Sequence, residues 1–148
     1  MRTTGILILD GGSSWERSLV RALRSLGVYA EIHPWDSDPT STETVDPAGI
    51  ILLADAPGPG RLRRGVVRHG VPILALGGAA ATVVQAFRGR TGPLEDAEPA
   101  PDRVGVLRQS PLFASLADQG PLELMAAAGE RLGDAPKGFV STAKGERT

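Results

Sequence analysis

The sequence predicts one α/β domain over residues 1–148, built as a three-layer, doubly wound, mostly parallel sheet. Short, continuous apolar runs recur along the chain, which is typical of parallel strands because helices cover both of their faces. Segments with helical apolar spacing lie between these runs. This βαβ alternation predicts right-handed crossovers, and a length of 148 residues suits a single domain.

The first half of the chain carries the clearest pattern. Its apolar runs predict four strands, at residues 5–9, 28–33, 49–53 and 71–76. Its apolar spacing predicts three helices, at residues 14–26, 62–69 and 79–87. The segments 35–47 and 54–60 are rich in Pro, Gly, Asp and Ser, so we expect them to be loops.

The first helix has both end signals and an apolar face. Ser13 and Glu16 have the spacing of a capping box, and Gly27 follows the last apolar residue as a C-terminal cap. The residues predicted to face the core are Leu19, Val20, Leu23 and Leu26.

The stretch 71–81 indicates a buried strand, a tight turn and the start of a helix. Its apolar run is too short for a helix and is bounded by glycine, so we expect a central parallel strand. The pair Gly77–Gly78 gives the turn conformational freedom. In α/β enzymes a turn of this shape often raises a nucleophile above the sheet. This turn contains no Ser, Cys or Asp, so a nucleophile is missing there.

The second half of the chain is patterned more weakly. Residues 90–103 contain Pro93, Pro99 and Pro101 and several acids, which predicts a loop. We expect strands at residues 104–107, 121–126 and 138–143, and a short helix at 110–116.

Composition excludes several classes of function. A net charge of -1 provides no general attraction to nucleic acid or to membranes, and 0 cysteines exclude disulfides, thiolate metal sites and a Cys nucleophile. No apolar run approaches the ~20 residues of a membrane helix, and the N-terminus lacks a signal-peptide layout. His33 and His69 lie far apart in the sequence, so we expect structural roles for them. These observations predict a cytoplasmic protein without cofactor or metal, and they indicate no oligomeric state.

Two segments carry a family resemblance, residues 6–13 (ILILDGGS) and residues 26–36 (LGVYAEIHPWD). They resemble the class I glutamine amidotransferase domain of GMP synthetase, and the second segment is the more specific. Further matches follow in family order, at residues 49–52 (GIIL), 70–74 (GVPIL), 110–113 (SPLF) and 136–139 (PKGF). The resemblance covers nearly the whole chain and implies the flavodoxin-like sheet of that family.

The departures from the family fall on its chemistry. The family turn Gly-Ile-Cys-Tyr-Gly-x-Gln aligns with residues 75–81, which puts Gly77 at the nucleophile position and Ala81 at the position of the glutamine-contacting Gln. The Ser-Gly-Gly-Pro oxyanion loop of the family becomes residues 53–56, in which Asp55 would repel a developing oxyanion.

Three other family segments differ as well. In the first loop, Gly11 replaces Phe and Ser14 replaces Gln, and the Ser-His-Gly-Asp segment becomes residues 127–130 (AAGE). The His-Pro-Glu segment, which holds the general base and its orienting acid, is expected to lie beyond residue 148, so that the domain is short at its C-terminus.

The resemblance therefore implies a pseudo-amidotransferase, a domain that is inactive in glutamine hydrolysis and acts as a binding or interaction module. Its partner would be a synthetase-type protein or a small ligand. The candidate ligand-binding residues are Gly12, Ser13, Asp55, Gly77 and Gly78. The alternative is a fragment or subunit of a GMP synthetase-like amidotransferase in purine nucleotide biosynthesis.

Two other features have weaker functional interpretations. Asp10 and Asp55 follow predicted parallel strands, as the Mg²⁺-binding and phosphate-accepting acids of a response-regulator receiver do, but the other receiver residues are missing. Arg61, Arg63, Arg64 and Arg68 form a basic cluster, which is either a site for phosphate or an acidic partner, or a solvated face.

Overall fold

The structure, a computed structural model, describes residues 1–56, 60–93, 100–106, 122–126, 130–132 and 143–145. The chain divides into two compact units, Met1–Gly89 and Arg90–Thr148. Across the described residues, no helix has the length and apolar character needed to cross a membrane.

Four parallel strands form the sheet of the first unit: β1 (Thr3–Asp10), β2 (Ala30–Pro34), β3 (Val45–Ala54) and β4 (Ile73–Gly77). Their order is β2-β1-β3-β4, so the predicted parallel α/β architecture is confirmed. We expected β4 to be central. Within the described part of the chain it pairs with β3 alone, and its residues from Ile73 to Leu76 are half-buried.

Three helices accompany this sheet: α1 (Glu16–Ser25), α2 (Arg64–Arg68) and α3 (Ala79–Ala86). The predicted capping box at α1 is wrong, because Trp15 takes the N-cap position and no side chain caps the helix. The Ser13 hydroxyl instead accepts from the Trp15 N–H, at 3.3 Å. Leu26, predicted to face the core, lies beyond the end of α1 and is 76% exposed.

The core lies on both faces of the sheet. On the α1 face, buried side chains pack together with Val20; they are Ile8, Ala30, Ile51 and Leu53. Strand residues alternate between faces, so Leu7, Leu9, Ile50 and Leu52 point the other way, and they are also almost fully buried. Because α3 contacts β3 and β4, helices and sheet together form the layered arrangement that the sequence predicted.

The described strands of the second unit are antiparallel. β5 (Thr91–Pro93) pairs with β8 (Glu130–Leu132), and β6 (Ala100–Val106) lies between β7 (Leu122–Ala126) and β9 (Ala143–Gly145). The predicted loop at 90–103 is therefore partly wrong, since β5 and much of β6 fall within it. The predicted helix at 110–116 and residues 138–142 of the last predicted strand lie outside the described residues.

Candidate functional site

The carboxyl ends of β1, β3 and β4 lie side by side at one edge of the parallel sheet. In the strand register Asp10 is paired with Leu53, and Ala54 with Gly77. The loops that leave these strands therefore meet at this edge, where ligands bind in open α/β sheets. All the candidate ligand-binding residues lie in these three loops or, for Gly77, at the end of β4.

The backbone of the turn after β4 packs closely against the end of β3. Gly77 has a φ of +63°, in the left-handed region, and a β-carbon there would lie 2.4 Å from the Ala54 carbonyl oxygen. The Gly78 N–H donates to the same carbonyl, at 2.8 Å. In a nucleophile elbow, the N–H of the residue after the nucleophile helps to bind the oxyanion. Here that N–H already has a partner within the fold.

The Asp55 carboxylate accepts several hydrogen bonds from the loop that follows β1. Its Oδ1 accepts from the Ser13 hydroxyl and from the Trp15 indole N–H, both at 3.1 Å. Its Oδ2 accepts from the Ser14 N–H at 2.9 Å. The Ser14 N–H, supported by Ser13 and Trp15, holds the pKa of Asp55 below its usual range. Asp55 is therefore an ionised tether between the end of β3 and the first loop.

The first loop is also tied to the ends of β1 and β3. The Ser13 N–H donates to Asp10 Oδ1 at 3.0 Å, and the Gly11 N–H donates to the Leu53 carbonyl at 2.8 Å. Gly12 has a φ of +94°, and nothing lies within 4 Å of where its β-carbon would be. Gly12 therefore provides the positive φ that the loop needs, and the space beside it is open.

The two acids at this edge are not arranged as a metal site. Both oxygens of Asp55 accept from N–H or O–H donors, and Asp10 accepts from Ser13. Over the residues that the structure describes, no group of three or more His, Asp and Glu side chains is placed to hold a metal ion. The groups available for hydrogen bonding at this edge are two carboxylates, two hydroxyls and an indole N–H.

The structure thus places four of the candidate residues in two groups, each with its own contacts. Ser13 and Asp55 are joined directly, while Gly77 and Gly78 contact Ala54, which precedes Asp55 in the chain. Sequence reasoning missed the role of Trp15 as a donor to Asp55. Residue spacing gave no signal for this contact, because it depends on β1 and β3 being neighbours in the sheet. Residues 127–129 and Pro57, which the family resemblance also singled out, lie outside the described residues.

A second polar cluster lies along β2. The Glu31 carboxylate accepts from the Tyr29 hydroxyl and from the Thr44 hydroxyl, and it pairs with His33 Nε2 at 3.0 Å. These contacts, His33 first, lower the pKa of Glu31 from 4.5 to about 2. The structural roles expected for both histidines stay predictions. The Nδ1 atom of His69 is buried without a hydrogen-bond partner among the described residues.

Comparison with known proteins identifies the family. The family model for glutamine amidotransferase class-I matches residues 7–93. The glutamine-hydrolyzing GMP synthase of Stenotrophomonas maltophilia (strain K279a) is 31% identical over 150 residues, which cover 96% of this chain and 29% of that protein. That of Xanthomonas oryzae pv. oryzae (strain PXO99A) is 30% identical over 155 residues, covering 99% of this chain and 30% of that protein.

A solved structure supports the same fold. The crystal structure of a putative GMP synthase subunit from Thermoplasma acidophilum matches with a TM-score of 0.78 at 21% identity, over 99% of this chain and 75% of that one. The chain spans about 30% of the length of the curated relatives it matches. The match of the family model to more than half of the sequence shows that the chain belongs to the class I glutamine amidotransferase family.

Proposed function

We propose that this amidotransferase-like domain does not hydrolyse glutamine and acts as a binding or interaction module for a synthetase-type protein or a small ligand. The observation that carries the proposal is the turn at Gly77. A side chain at this position would begin 2.4 Å from the Ala54 carbonyl oxygen, so the turn has no room for a nucleophile.

One further contact and one charge support the loss of glutaminase chemistry. The Gly78 N–H donates to Ala54, so it is not free to bind a developing oxyanion. Asp55 puts a negative charge next to the same strand end. Removing the nucleophile alone costs a hydrolase several orders of magnitude in rate, roughly 10⁶-fold in a serine protease. The combined changes therefore favour an inactive domain.

The names of the relatives support a synthetase-type partner. The bacterial relatives are GMP synthases that hydrolyse glutamine, and the archaeal structure is that of a putative GMP synthase subunit. A second candidate function is that of a fragment or subunit of a GMP synthetase-like amidotransferase in purine nucleotide biosynthesis. The observation that favours it is the coverage of only 29% of the relative from Stenotrophomonas maltophilia. Both candidates act in the cytoplasm.

A glutaminase assay tests the proposal. We expect the purified protein to release no ammonia from glutamine above a buffer control, whether by itself or with a GMP synthetase from the same organism. An active class I amidotransferase assayed in parallel provides the positive control. Ammonia release that depends on the protein would overturn the proposal.

The variant Gly77→Cys tests the physical reason. We expect it to remain inactive, because the cysteine β-carbon would collide with the Ala54 carbonyl and the Gly78 N–H would still be occupied. Glutamine hydrolysis by this variant would show that the turn opens and that a base is present. The reading frame of the gene beyond Thr148 separates the two candidates, since continuation into a His-Pro-Glu segment would favour the second.

A further inference from the structure

A cavity of about 910 Å³ lies beside α2 and the C-terminal half of α3, within the first unit. Four arginines line it, namely Arg61, Arg64, Arg68 and Arg88. Small-molecule sites in proteins occupy roughly 300–1,000 Å³, so the cavity has the size of such a site. Its residues do not include the candidate residues at the edge of the sheet, so the inference drawn from it does not depend on the loss of glutaminase chemistry.

The four guanidinium groups of this cavity form no ion pair with the acidic side chains of the described residues. Arg64 and Arg68 lie one turn apart on α2, and like charges at this spacing destabilise a helix. An anion bound between them would relieve this repulsion. Guanidinium groups also match phosphate oxygens with paired hydrogen bonds.

The backbone conformation of Arg88 is a second observation that favours an anion in this cavity. Arg88 follows α3 with a φ of +65°, the one non-glycine residue with a positive φ in the described chain. Glycine is the usual residue at such a position after a helix, because side chains are strained there. Local geometry therefore favours glycine, while the arginine adds a fourth charge to the cavity.

The neighbouring basic residue provides a contrast. Arg63 belongs to the same basic segment but lines a different cavity of about 610 Å³, together with Asp38 and His33. The structure thus separates the cluster seen in the sequence into three arginines on one cavity and one on another. Arg63 is therefore a matched control for the other three.

Apolar side chains provide the remaining lining. Leu62 is 9% exposed, and Val67 and Ala86 lie at the same cavity. This combination suits a molecule with an apolar part and more than one negative charge. We propose that the cavity binds a small phosphorylated organic molecule, with its phosphates at the arginines and its apolar part against Leu62 and Val67.

Isothermal titration calorimetry of the whole chain tests this site, with adenosine diphosphate as the probe. Inorganic pyrophosphate shares the phosphates and adenosine shares the apolar part, so these two compounds separate the contributions. We expect adenosine diphosphate to bind, pyrophosphate to bind more weakly, and adenosine not to bind. The double variant Arg64→Gln/Arg68→Gln should weaken binding by about tenfold or more, and Arg63→Gln by less than about twofold.

The variant Arg88→Gly keeps the test decisive if the double variant fails to fold. Glycine suits the positive φ, so this variant should melt no lower than the wild type while binding adenosine diphosphate about fivefold more weakly. Three outcomes would overturn the proposal. They are no binding at about 5 mM adenosine diphosphate, unchanged affinity in the folded arginine variants, or binding of a hexaglutamate peptide in place of the phosphorylated probe.

Discussion

Gly77 lies at a turn whose geometry leaves no room for a β-carbon. Its positive φ and the 2.4 Å separation from the Ala54 carbonyl oxygen are distinct obstacles to a side chain. The first is a conformational cost, and the second is a collision with backbone that packing of the strand ends holds in place. Comparing two glycines separates these costs.

We predict that Gly77→Ala lowers the free energy of unfolding by at least about 2 kcal/mol. Gly27 has a similar φ of +72°, with nothing within 4 Å of its β-carbon position, so Gly27→Ala should cost only about 1 kcal/mol. Urea unfolding followed by far-ultraviolet circular dichroism measures both. Equal losses in the two variants would contradict the close approach to Ala54.

Glu31 makes the stability of the protein depend on pH. Its contacts lower its pKa from 4.5 to about 2, so its carboxylate is more stable in the folded than in the unfolded protein. Its contribution is full above the unfolded pKa of 4.5 and is lost as the pH falls towards about 2.

We predict that Glu31→Gln lowers the free energy of unfolding by about 1 kcal/mol at pH 7, with a smaller difference from the wild type as the pH falls below 4.5. Thermal unfolding across this range measures the effect. Glu43→Gln is the control because Glu43 is exposed. A difference between wild type and variant that stays constant with pH would show that the carboxylate is not the stabilising group.

At the level of elements, β3 is longer than its sequence pattern suggests. We predicted a strand at 49–53, and the structure extends it from Val45 to Ala54. The residues before Gly49 were not predicted as strand because they include Pro47, and proline lacks the N–H that a strand donates to its neighbour. The register between β1 and β3 shifts between Gly5 and Ile6, next to the position paired with Pro47. An irregularity of this kind lets a strand include a proline.

Two leucines, one in β3 and one after α1, show that apolar spacing in the sequence does not by itself predict burial. We predict that Leu52→Ala, at a side chain with 0% exposure, destabilises the protein by about 2–5 kcal/mol. Leu26→Ala, at a side chain that is 76% exposed, should cost less than about 0.5 kcal/mol. Chemical denaturation of both variants checks this. A large loss for Leu26→Ala would mean that Leu26 does face the core, as its spacing in the sequence predicts.

At the scale of the molecule, the first unit is organised around two interior strands. In the order β2-β1-β3-β4, both β1 and β3 have a hydrogen-bonded neighbour on each side. Their central residues are also fully buried, with Leu7, Leu9 and Leu52 at 0% exposure. Opening these strands therefore requires disruption of the whole sheet.

We predict that the backbone amides of Ile8 and Leu52 exchange with solvent about tenfold or more slowly than that of Ile32, on the outer strand β2. Hydrogen exchange followed by nuclear magnetic resonance on the whole chain gives these rates. Slower exchange at Ile32 would mean that β2 is not an outer strand in solution.

The sequence by itself determined the family, the fold class and the order of the main elements of the first unit. Apolar runs, helical spacing and glycine turns are local patterns, so they are readable without knowledge of distant contacts. The family resemblance also predicted Gly77 at the nucleophile position of the family's turn. The structure adds that a β-carbon there would lie 2.4 Å from the Ala54 carbonyl oxygen.

Only the tertiary structure decided which distant residues meet. It joins Ser13 and Trp15 to Asp55, leaves Leu26 in solvent, and separates Arg63 from the arginines that share a cavity with Arg88. These outcomes depend on strand register and on where loops and helices pack, which are relations through space. Residue spacing within one segment does not contain them, and so no local pattern could predict them.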